Sequence, residues 1–317
     1  MIIRPQLAED AILDAVRFPC IVQPKVDGCR AVNLSGQLTG RSLDPFKGYG
    51  ITEFFSKPQY LGFDGEMILG NDPASPDRLC SATTGAMGRF KGVTEMANLT
   101  FWVFDLVTPE TVNLPYMTRY QMLAERVATL PTEARVRLMP SYFIQDTAGL
   151  QQAIAEFAEA GYEGTIIRNP DAPYKPGRAT QKGQELWRVK PWADAEILVT
   201  GITEGARNDN EAKTNSLGRT ERSSAQAGLV PNGQVGSIQG TMLADFHDPY
   251  TGRLLFAKGL PVTIGSGEMS VEEAKHYFER PDEIVGHIAK FKFMTHGILS
   301  LPRFPTYISH RLPEDMS

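Results

Sequence analysis

The stretch QPKVDGCR, residues 23–30, decides how the rest of the chain is interpreted. It lies in a segment that alternates like a β-strand, so Gln23, Lys25 and Asp27 share one face and apolar side chains share the other. A lysine in this position is either a solvated residue at a strand edge or an amine with a chemical role. The segment alone favours the solvated residue, because lysine is common on exposed strand faces.

Composition indicates an ordinary soluble globular protein. The 317 residues are enough for two domains, and 42% hydrophobic with 22% charged residues is typical of a soluble chain. The net charge of -5 argues against a histone-like polycation but is compatible with a nucleic-acid enzyme that has a local basic groove. Cys20, Cys29 and Cys80 have no metal-ligand spacing and are too few for a disulfide framework, which favours a reducing cytoplasm. We also find no signal-peptide pattern and no run of the ~18 apolar residues that a membrane span needs.

The first part of the chain mixes strands and helices without regular βαβ alternation, which predicts an α+β fold. Apolar spacing and capping residues predict helices over 7–17, 118–130 and 146–161. Alternating or continuous apolar runs predict strands within 20–41, 60–69 and 99–107.

A change of composition after WRVKPW predicts a domain boundary near residue 192. Residues 203–237 are polar and poor in large apolar side chains, so a long loop or several turns is expected there. Around this segment, five or so short strands and one helix opened by a capping box of Ser270 and Glu273 favour an antiparallel barrel of the OB type. We therefore expect two domains, 1–192 and 193–317.

Further short motifs change the interpretation of Lys25. In chain order they are TGR (39–41), FDGEM (63–67), VFDL (103–106), EGTIIR (163–168) and WRVK (187–190). Each motif is weak alone, but K-x-D-G-x-R followed by the others in this order and at this spacing is highly specific. The set resembles the covalent nucleotidyltransferase superfamily of ATP-dependent DNA ligases, RNA ligases and mRNA-capping enzymes. The match covers residues 20–192, and KFMTHGILSLPRFP (292–305) is similar to the C-terminal OB-fold barrel of small bacteriophage-type DNA ligases.

The resemblance implies that Lys25 is the nucleophile that attacks the α-phosphorus of ATP and forms a covalent lysyl-AMP. An ordinary lysine is protonated at pH 7, so burial and neighbouring cations are needed to favour the neutral amine. Arg41, Arg188 and Lys190, together with a divalent metal, are expected to supply that positive charge and to bind the phosphates. Gly28 is expected to let the chain turn close to the nucleotide.

The resemblance also implies contacts to the rest of the nucleotide. Glu66 is expected to contact the ribose, and Phe104 to stack on adenine, with Trp102 as the alternative because it shares strand parity with Phe104. Gln23 stands where many DNA ligases have a glutamate that receives the adenine amino group. Its amide oxygen can accept that hydrogen bond, but an amide discriminates less strictly against guanine. Arg30 is expected to contact the nucleotide sugar or the nicked DNA end.

Three carboxylates are the expected ligands of Mg²⁺ or Mn²⁺, namely Glu163, Glu66 and Asp27. Asp27 shares a strand face with Lys25, so it is expected to orient the amine or to hold metal. Arg168 has the opposite parity from Glu163, so a bulge or twist is needed for both to face one pocket. The residues expected to bind ATP are Gln23, Lys25, Val26, Arg30, Arg41, Glu66, Phe104, Arg188 and Lys190. Those expected to act in catalysis are Lys25, Asp27, Arg30 and Lys190.

The function that the resemblance implies is ATP-dependent sealing of nicks in duplex DNA, with the second domain swinging against the first to clamp the duplex. Candidate DNA contacts in the polar segment are Arg207, Lys213, Arg219 and Arg222, and the alternative for that segment is a disordered surface insertion. We expect a monomer in the cytoplasm, or in the host cytoplasm if the source is viral.

Three alternative functions stay open at this point. An RNA ligase usually lacks the OB-type barrel. A GTP-dependent capping guanylyltransferase would carry an R-x-D-K motif, which the sequence does not contain. A non-catalytic nucleic-acid-binding protein would show a damaged nucleophile motif, whereas Lys25, Asp27 and Gly28 are all present.

Overall fold

The structure is a computed structural model of the chain, and it describes residues 3–74, 79–88, 98–298 and 300–311. The chain forms two compact units, Met1–Lys190 and Pro191–Ser317. The predicted domain boundary lies two residues after the point where these units divide. Each unit has a hydrophobic core of its own.

The first unit combines helices with two main sheets. Its described helices are α1 (Tyr49–Phe55), α2 (Leu79–Met87), α3 (Tyr116–Ala128) and α4 (Thr147–Glu159). Its described strands are β1 (Gln6–Leu7), β2 (Glu9–Asp10), β3 (Cys20–Lys25), β4 (Cys29–Val32), β5 (Phe63–Leu69), β6 (Leu99–Leu106), β7 (Val136–Leu138), β8 (Tyr142–Ile144), β9 (Gly164–Arg168), β10 (Gly177–Arg178) and β11 (Trp187–Val189). One sheet has the strand order β2-β11-β9-β3-β8, the other has the order β4-β5-β6-β7, and β1 pairs with β10. These mostly antiparallel sheets with interspersed helices confirm the predicted α+β class.

Each main sheet of the first unit buries one face against helices. Leu150 and Phe157 of α4, which recur at helical spacing, belong to the same hydrophobic cluster as Trp187 of β11. Phe55 of α1 and Leu123 of α3 belong to the cluster that covers the other sheet. These two cores fix the sheets, so the polar ends of their strands can present side chains in defined positions.

Two of the three helices predicted in the first unit are confirmed, and one prediction is wrong. α3 and α4 lie within two residues of the predicted ranges, and the Asp146 side chain caps α4 by accepting a hydrogen bond from the Gly149 amide at 2.8 Å. Residues 7–17 do not form the predicted α-helix, because Glu9 and Asp10 pair in parallel with Trp187 and Arg188, and helical structure is limited to a short 3-10 turn at Leu13–Ala15. The amides of Glu9 and Ala11 donate to the carbonyl oxygens of Leu186 and Arg188, so this part of the backbone is satisfied by the sheet.

The second unit is built around a closed barrel. Its described strands are β12 (Trp192–Asn208), β13 (Ala212–Thr214), β14 (Thr220–Arg222), β15 (Leu229–Met242), β16 (Phe246–His247), β17 (Leu254–Phe256), β18 (Pro261–Gly265), β19 (Ile288–Met294) and β20 (Arg303–Arg311), and its described helix is α5 (Val271–Glu279). The barrel has the order β12-β15-β18-β20-β19, with β19 pairing back to β12. The helix lies between β18 and β19 and begins with the predicted Ser270–Glu273 capping box. This arrangement agrees with the predicted OB-type barrel.

The polar segment 203–237 is not a loop, contrary to the sequence-based prediction. β12 and β15 pair far past the barrel, out to Asn208 opposite Leu229, and the hairpin of β13 and β14 lies between them. We call residues 203–237 the β-arm. Its strands carry few apolar side chains because most of their residues are half-buried or exposed. Backbone pairing rather than side-chain burial defines them, so the sequence has no hydrophobic period to reveal them.

Among the residues that the structure describes, no helix is both long enough and apolar enough to cross a membrane.

Candidate active site

A cavity of about 190 Å³ opens in the first unit between side chains from both main sheets. β3, β9 and β11 contribute side chains from one sheet, and β4, β5 and β6 contribute side chains from the other. The predicted ATP-binding residues that line it are Gln23, Lys25, Val26, Arg30, Arg41, Glu66, Phe104 and Arg188. Of the predicted set, only Lys190 does not line the cavity, and it contacts Glu163 beside it.

Glu163 lies between two lysines. Lys25, at the end of β3, donates a hydrogen bond to Glu163 Oε2, and the Lys190 Nζ lies 3.4 Å from Glu163 Oε1. The Lys25 side chain is 21% exposed and the Glu163 side chain is 6% exposed. Burial lowers the pKa of Lys190, and the Glu163 charge opposes that effect. The Lys25 amine is therefore held at the cavity wall by a carboxylate and does not point into bulk solvent.

Glycines bring the strands of the site close together. A Cβ atom at Gly164 would lie 2.2 Å from the Val189 carbonyl oxygen, so only glycine allows β9 and β11 to approach as they do. A Cβ atom at Gly28 would lie 2.4 Å from the Met67 carbonyl oxygen. Gly28 thus allows the chain after β3 to approach β5 closely. Gly164 allows β9 to approach β11, which places the Glu163 carboxylate next to Lys190.

Glu66 lies on β5 opposite Arg30 of β4 and lines the cavity. Burial raises its pKa to about 8, with Lys25 and Arg30 opposing the rise and Glu163 adding to it. Two of the three predicted metal ligands, Glu66 and Glu163, are thus near enough to affect each other's charge.

The third predicted metal ligand, Asp27, is buried but does not line the cavity. The parity prediction fails for it because β3 ends at Lys25, so the alternation does not extend to residue 27. Within residues 3–74, 79–88, 98–298 and 300–311, no three His, Cys, Asp or Glu side chains converge as a set that could hold a metal ion. The structure therefore does not bring the predicted trio of carboxylates together.

Arg30 is held by a carboxylate that the sequence analysis left without a role. Its Nε and Nη2 donate to the two oxygens of Asp64 at 2.7 and 2.8 Å, and the Tyr174 hydroxyl donates to the same carboxylate at 2.8 Å. Burial lowers the pKa of the Arg30 guanidinium, but the negative charge of Asp64 raises it by more, so the pKa is raised overall. The signal was present, because Asp64 lies in the FDGEM motif at a fully buried position of a mostly apolar strand.

The aromatic side chain at the cavity is Phe104 and not Trp102. Phe104 lines the cavity, and the guanidinium carbon of Arg30 lies 4.7 Å from its ring centre. Trp102 shares its strand parity, as expected, and both rings pack against the hydrophobic cluster of Val26 and Ile68, but Trp102 does not line the cavity. The described geometry therefore leaves Phe104 as the candidate for stacking on a base.

Gln23 belongs to a buried polar network that the sequence did not predict. Its Nε2 donates to Ser141 Oγ at 2.8 Å, and its Oε1 accepts from Arg168 Nε at 3.0 Å. The Nη1 atom of Arg168 lies 3.3 Å from Asp105 Oδ2. Arg119 donates two hydrogen bonds to the same carboxylate, at 2.7 and 3.0 Å. We call these five residues the Arg168 network.

Arg168 and Glu163 do reach the same site, although their sequence parity differs. Arg168 lies at the end of β9 and lines the cavity together with Ile166. Glu163 precedes the first residue of β9, so strand alternation does not govern its direction. No bulge is required.

Arg188 lines the cavity but also carries a carboxylate partner. Its Nε and Nη2 lie 2.7 and 3.3 Å from the two oxygens of Asp10, and this hydrogen bonding lowers the pKa of Asp10. Asp10 was missed because its segment was predicted to be helical. Arg178, another residue of the cavity wall, was also missed, because no local pattern distinguishes it.

The four predicted DNA-contacting residues lie in the β-arm of the second unit. Arg207 pairs with Asp209 at 2.8 Å, and Arg222 donates to the Asn210 carbonyl oxygen. Lys213 stands opposite Glu221 in the β13–β14 hairpin, and Arg219 lies at its turn. These cations are exposed, so they are available to a large ligand.

Residues 5–190 match the family model described as ATP dependent DNA ligase domain. A DNA ligase of African swine fever virus, isolate Warthog/Namibia/Wart80/1980, is 27% identical over 198 residues, which are 59% of this chain and 45% of that protein. A probable DNA ligase of Mycolicibacterium vanbaalenii is 28% identical over 175 residues, which are 54% of this chain and 31% of that protein. The chain thus matches less than half the length of these curated relatives.

Two solved structures share the fold over almost the whole chain. A Chlorella virus DNA ligase-adenylate has a TM-score of 0.52 and 23% identity, covering 98% of this chain and 99% of that chain. A structure described as a minimal scaffold for DNA binding, from the Lig E DNA ligases, has a TM-score of 0.67 and 19% identity, covering 98% and 100%. At these identities the likeness establishes the fold and not the chemistry.

Proposed function

This chain belongs to the ATP-dependent DNA ligase domain family, and from that membership we propose that the protein is an ATP-dependent DNA ligase that seals nicks in duplex DNA. The first unit is the nucleotidyltransferase domain, and the second is an OB-fold DNA-binding domain. One observation carries the proposal: the Lys25 amine is hydrogen-bonded to Glu163 and lines the same cavity as the cations Arg41 and Arg188.

The reaction proceeds in three displacements. The neutral Lys25 amine attacks the α-phosphorus of ATP, a P–N bond forms, the bond to pyrophosphate breaks, and the amine loses a proton. An oxygen of the 5′-phosphate at the nick then attacks the same phosphorus, the P–N bond breaks, and the lysine takes up a proton. Finally the 3′-hydroxyl loses its proton and attacks the 5′-phosphate, and AMP leaves with the bonding electrons of the broken P–O bond.

The residues around Lys25 divide the work of the first step. Glu163 orients the Lys25 amine towards the cavity. Lys190 and Arg188 bind the phosphates, and Arg188 can do so while it stays on Asp10, because a guanidinium has five N–H donors and Asp10 takes two of them. Phe104 supplies a face for the base, and Glu66 accepts from the ribose hydroxyls. Arg30, held by Asp64, contacts the sugar or the nicked end.

The family implies Mg²⁺ or Mn²⁺, and two of the three predicted carboxylates, Glu66 and Glu163, fit such an ion. Glu66 and Glu163 are close enough for one charge to raise the other's pKa, which is the situation that a divalent cation relieves. Mg²⁺ is usually held by one or two carboxylates together with substrate phosphates and water, so a third protein carboxylate is not required. When bound, the ion supplies positive charge that stabilises the phosphate oxygens in the transition state. Glu163 and Glu66 would hold it.

In this proposal, the second unit makes most of the contacts to DNA. The β-arm carries Arg207, Lys213, Arg219 and Arg222 on exposed positions, and their contacts to phosphate would be largely blind to sequence. The β-arm also carries Glu204, Asp209, Glu211 and Glu221. Its affinity for DNA therefore depends on where the charges lie and not on an excess of cations. We propose that the protein acts as a monomer in the cytoplasm, or in the host cytoplasm if its source is viral.

Mass spectrometry of the purified protein after incubation with ATP and Mg²⁺ tests the proposal. We expect a gain of one adenylate on Lys25, and sealing of a nicked DNA duplex by the same preparation. Lys25→Ala removes the nucleophile, and Lys25→Arg keeps the charge without a nucleophilic amine, so both should lose the adduct and the sealing. An adduct that persists in both variants would show that the nucleophile is another residue.

The same assay separates the related activities. A covalent adduct from GTP alone would identify a guanylyltransferase, and sealing restricted to nicked RNA would identify an RNA ligase. Specific DNA binding without any adduct would identify a non-catalytic binding protein.

A further inference from the structure

Arg168 is almost completely buried, yet its side chain reaches the wall of the candidate active site. It is 2% exposed, and its Nη1 lies 3.3 Å from Asp105 Oδ2. Its guanidinium carbon lies 4.3 Å from the ring centre of Tyr116 and 5.3 Å from that of Phe104. Because Arg119 holds Asp105 through two further hydrogen bonds, the guanidinium of Arg168 is fixed from several directions.

The contact between Arg168 and Gln23 fixes the orientation of an amide. Arg168 Nε lies 3.0 Å from the Gln23 side chain, and a guanidinium has donors only, so the atom that faces it must be the carbonyl oxygen. The amide nitrogen then points to Ser141 Oγ at 2.8 Å. Ser141 could not impose this orientation alone, because a hydroxyl group both donates and accepts. Arg168 therefore determines which end of the amide lies on which side.

We propose that Arg168 is a positioning residue that makes the nucleotide pocket selective for ATP over GTP. The inference rests on the proposed function, because it assumes that a purine nucleotide occupies the cavity beside Gln23. A carbonyl oxygen has two lone pairs, and Arg168 uses one of them. The other accepts a hydrogen bond from the amino group of adenine.

Guanine carries a carbonyl oxygen where adenine carries this amino group, so the fixed Gln23 oxygen would face another acceptor. Turning the amide over would relieve that mismatch, but it would place the amide N–H groups against the N–H groups of Arg168. Each arrangement leaves a buried polar group unmatched, and such a group costs about 1–3 kcal/mol. Guanine is thus disfavoured as long as Arg168 keeps the amide in place.

A glutamine at this position needs such a partner. A carboxylate at position 23 would present an acceptor in either orientation, whereas an amide presents an acceptor in one orientation and a donor in the other. Purine selectivity with Gln23 therefore depends on the neighbour that orients it. Phe104, which the same guanidinium contacts, offers a face to either purine and adds no discrimination.

The test measures covalent labelling of the full chain by ATP and by GTP, each labelled in the α-phosphate, at several concentrations with Mg²⁺. We expect Arg168→Met to lower the ratio of kcat/KM for ATP over GTP at least about tenfold, the factor set by one unmatched buried acceptor. Arg168→Lys should keep the ratio within about threefold, because an ammonium group is also donor-only. Ser141→Ala is the matched control. It removes the other hydrogen bond of the same amide and should also keep the ratio.

Arg168→Gln guards against a variant that fails to fold. Its amide both donates and accepts, so it should relax selectivity like Arg168→Met while keeping a polar group in the buried site. Asp105 stays paired with Arg119 in each variant, and thermal unfolding checks the fold. If the Arg168 variants lost labelling by ATP and by GTP to the same extent, the inference would be overturned. It would also be overturned if Ser141→Ala lowered the ATP-to-GTP ratio as much as they do. Equal labelling of the wild type by ATP and GTP would overturn it while leaving the nucleotidyltransferase proposal intact, and no labelling at all would overturn both.

Discussion

Two aspartate–arginine pairs in the first unit have the same shortest distance but very different burial. Asp105 Oδ1 lies 2.7 Å from Arg119 Nε, with side chains that are 0% and 1% exposed. Asp10 Oδ1 lies 2.7 Å from Arg188 Nε, with side chains that are 68% and 28% exposed. If burial and not distance decides what such a pair contributes, the same Asp→Asn substitution should have different effects at the two positions.

Asp105→Asn should destabilise the first unit by about 3–5 kcal/mol, because it leaves the buried charges of Arg119 and Arg168 without their counter-ion. Asp10→Asn should cost no more than about 1 kcal/mol, because solvent screens an exposed pair and hydrates both groups once it is broken. Asparagine keeps the shape of aspartate in both cases, so the comparison isolates the charge.

Urea unfolding followed by tryptophan fluorescence measures the difference. Trp102 and Trp187 lie in the first unit and report on it, whereas Trp192 lies in the second unit. The slope of the free energy with urea concentration should stay unchanged, so that a shift of the midpoint reports stability. Equal destabilisation by both substitutions, or a larger effect at Asp10, would refute the reasoning.

Three further predictions concern the pH response, a glycine and the β-arm. Burial raises the pKa of Glu66 to about 8 from the usual 4.5, so between these values the folded state holds a proton that the unfolded state has lost. The free energy of unfolding should therefore fall as pH rises from 5.5 to 8.5, by up to about 1.4 kcal/mol per pH unit. Urea titrations at several pH values should find that Glu66→Gln removes this slope, and a slope that persists would contradict the assignment. Gly164→Ala should cost about 1–3 kcal/mol and slow labelling by ATP, because the new Cβ would meet the Val189 carbonyl oxygen at 2.2 Å. Gly85→Ala, in α2 with nothing within 4 Å of the new atom, should be neutral or stabilising by up to about 1 kcal/mol, and equal losses in the two variants would count against this account. Arg219→Ala should weaken binding to nicked duplex and lower the salt slope of log K by about 1, measured between 50 and 200 mM salt, whereas an unchanged slope would remove Arg219 from the DNA contacts.

The sequence predicted the site better from the order of its motifs than from strand alternation. Gln23 and Lys25 were placed on one face of a strand and both line the cavity, but Pro24 and Val26 of the other face line it as well. Alternation failed at strand ends, since Asp27 follows β3 and Glu163 precedes β9. At those positions the direction of a side chain depends on the turn, and a turn depends on tertiary contacts that no local pattern records.

The carboxylates that hold the cavity arginines could not be predicted for a related reason. Asp10 and Arg188 are 178 residues apart, and they meet only because β2 pairs in parallel with β11. The pairing of distant strands and its register are set by the whole fold, and a two-residue edge strand such as β2 leaves almost no trace in the sequence. The β-arm was missed because pairing of exposed strands needs no apolar residues.

Under the proposed function, these carboxylates prepare the site for a triphosphate. Arg30 is held by Asp64, Arg168 by Asp105, Arg188 by Asp10, and both Lys25 and Lys190 contact Glu163. Each partner fixes the direction of its cation, which lowers the conformational entropy lost when a phosphate binds. The same partner offsets part of the positive charge, so attraction to phosphate is weaker than the number of cations implies. Selectivity for the α-phosphorus would then come from where the cations point rather than from their sum. On this view, substitution of Asp10 or Asp64 should change the alignment of bound ATP even where it increases the net positive charge of the cavity.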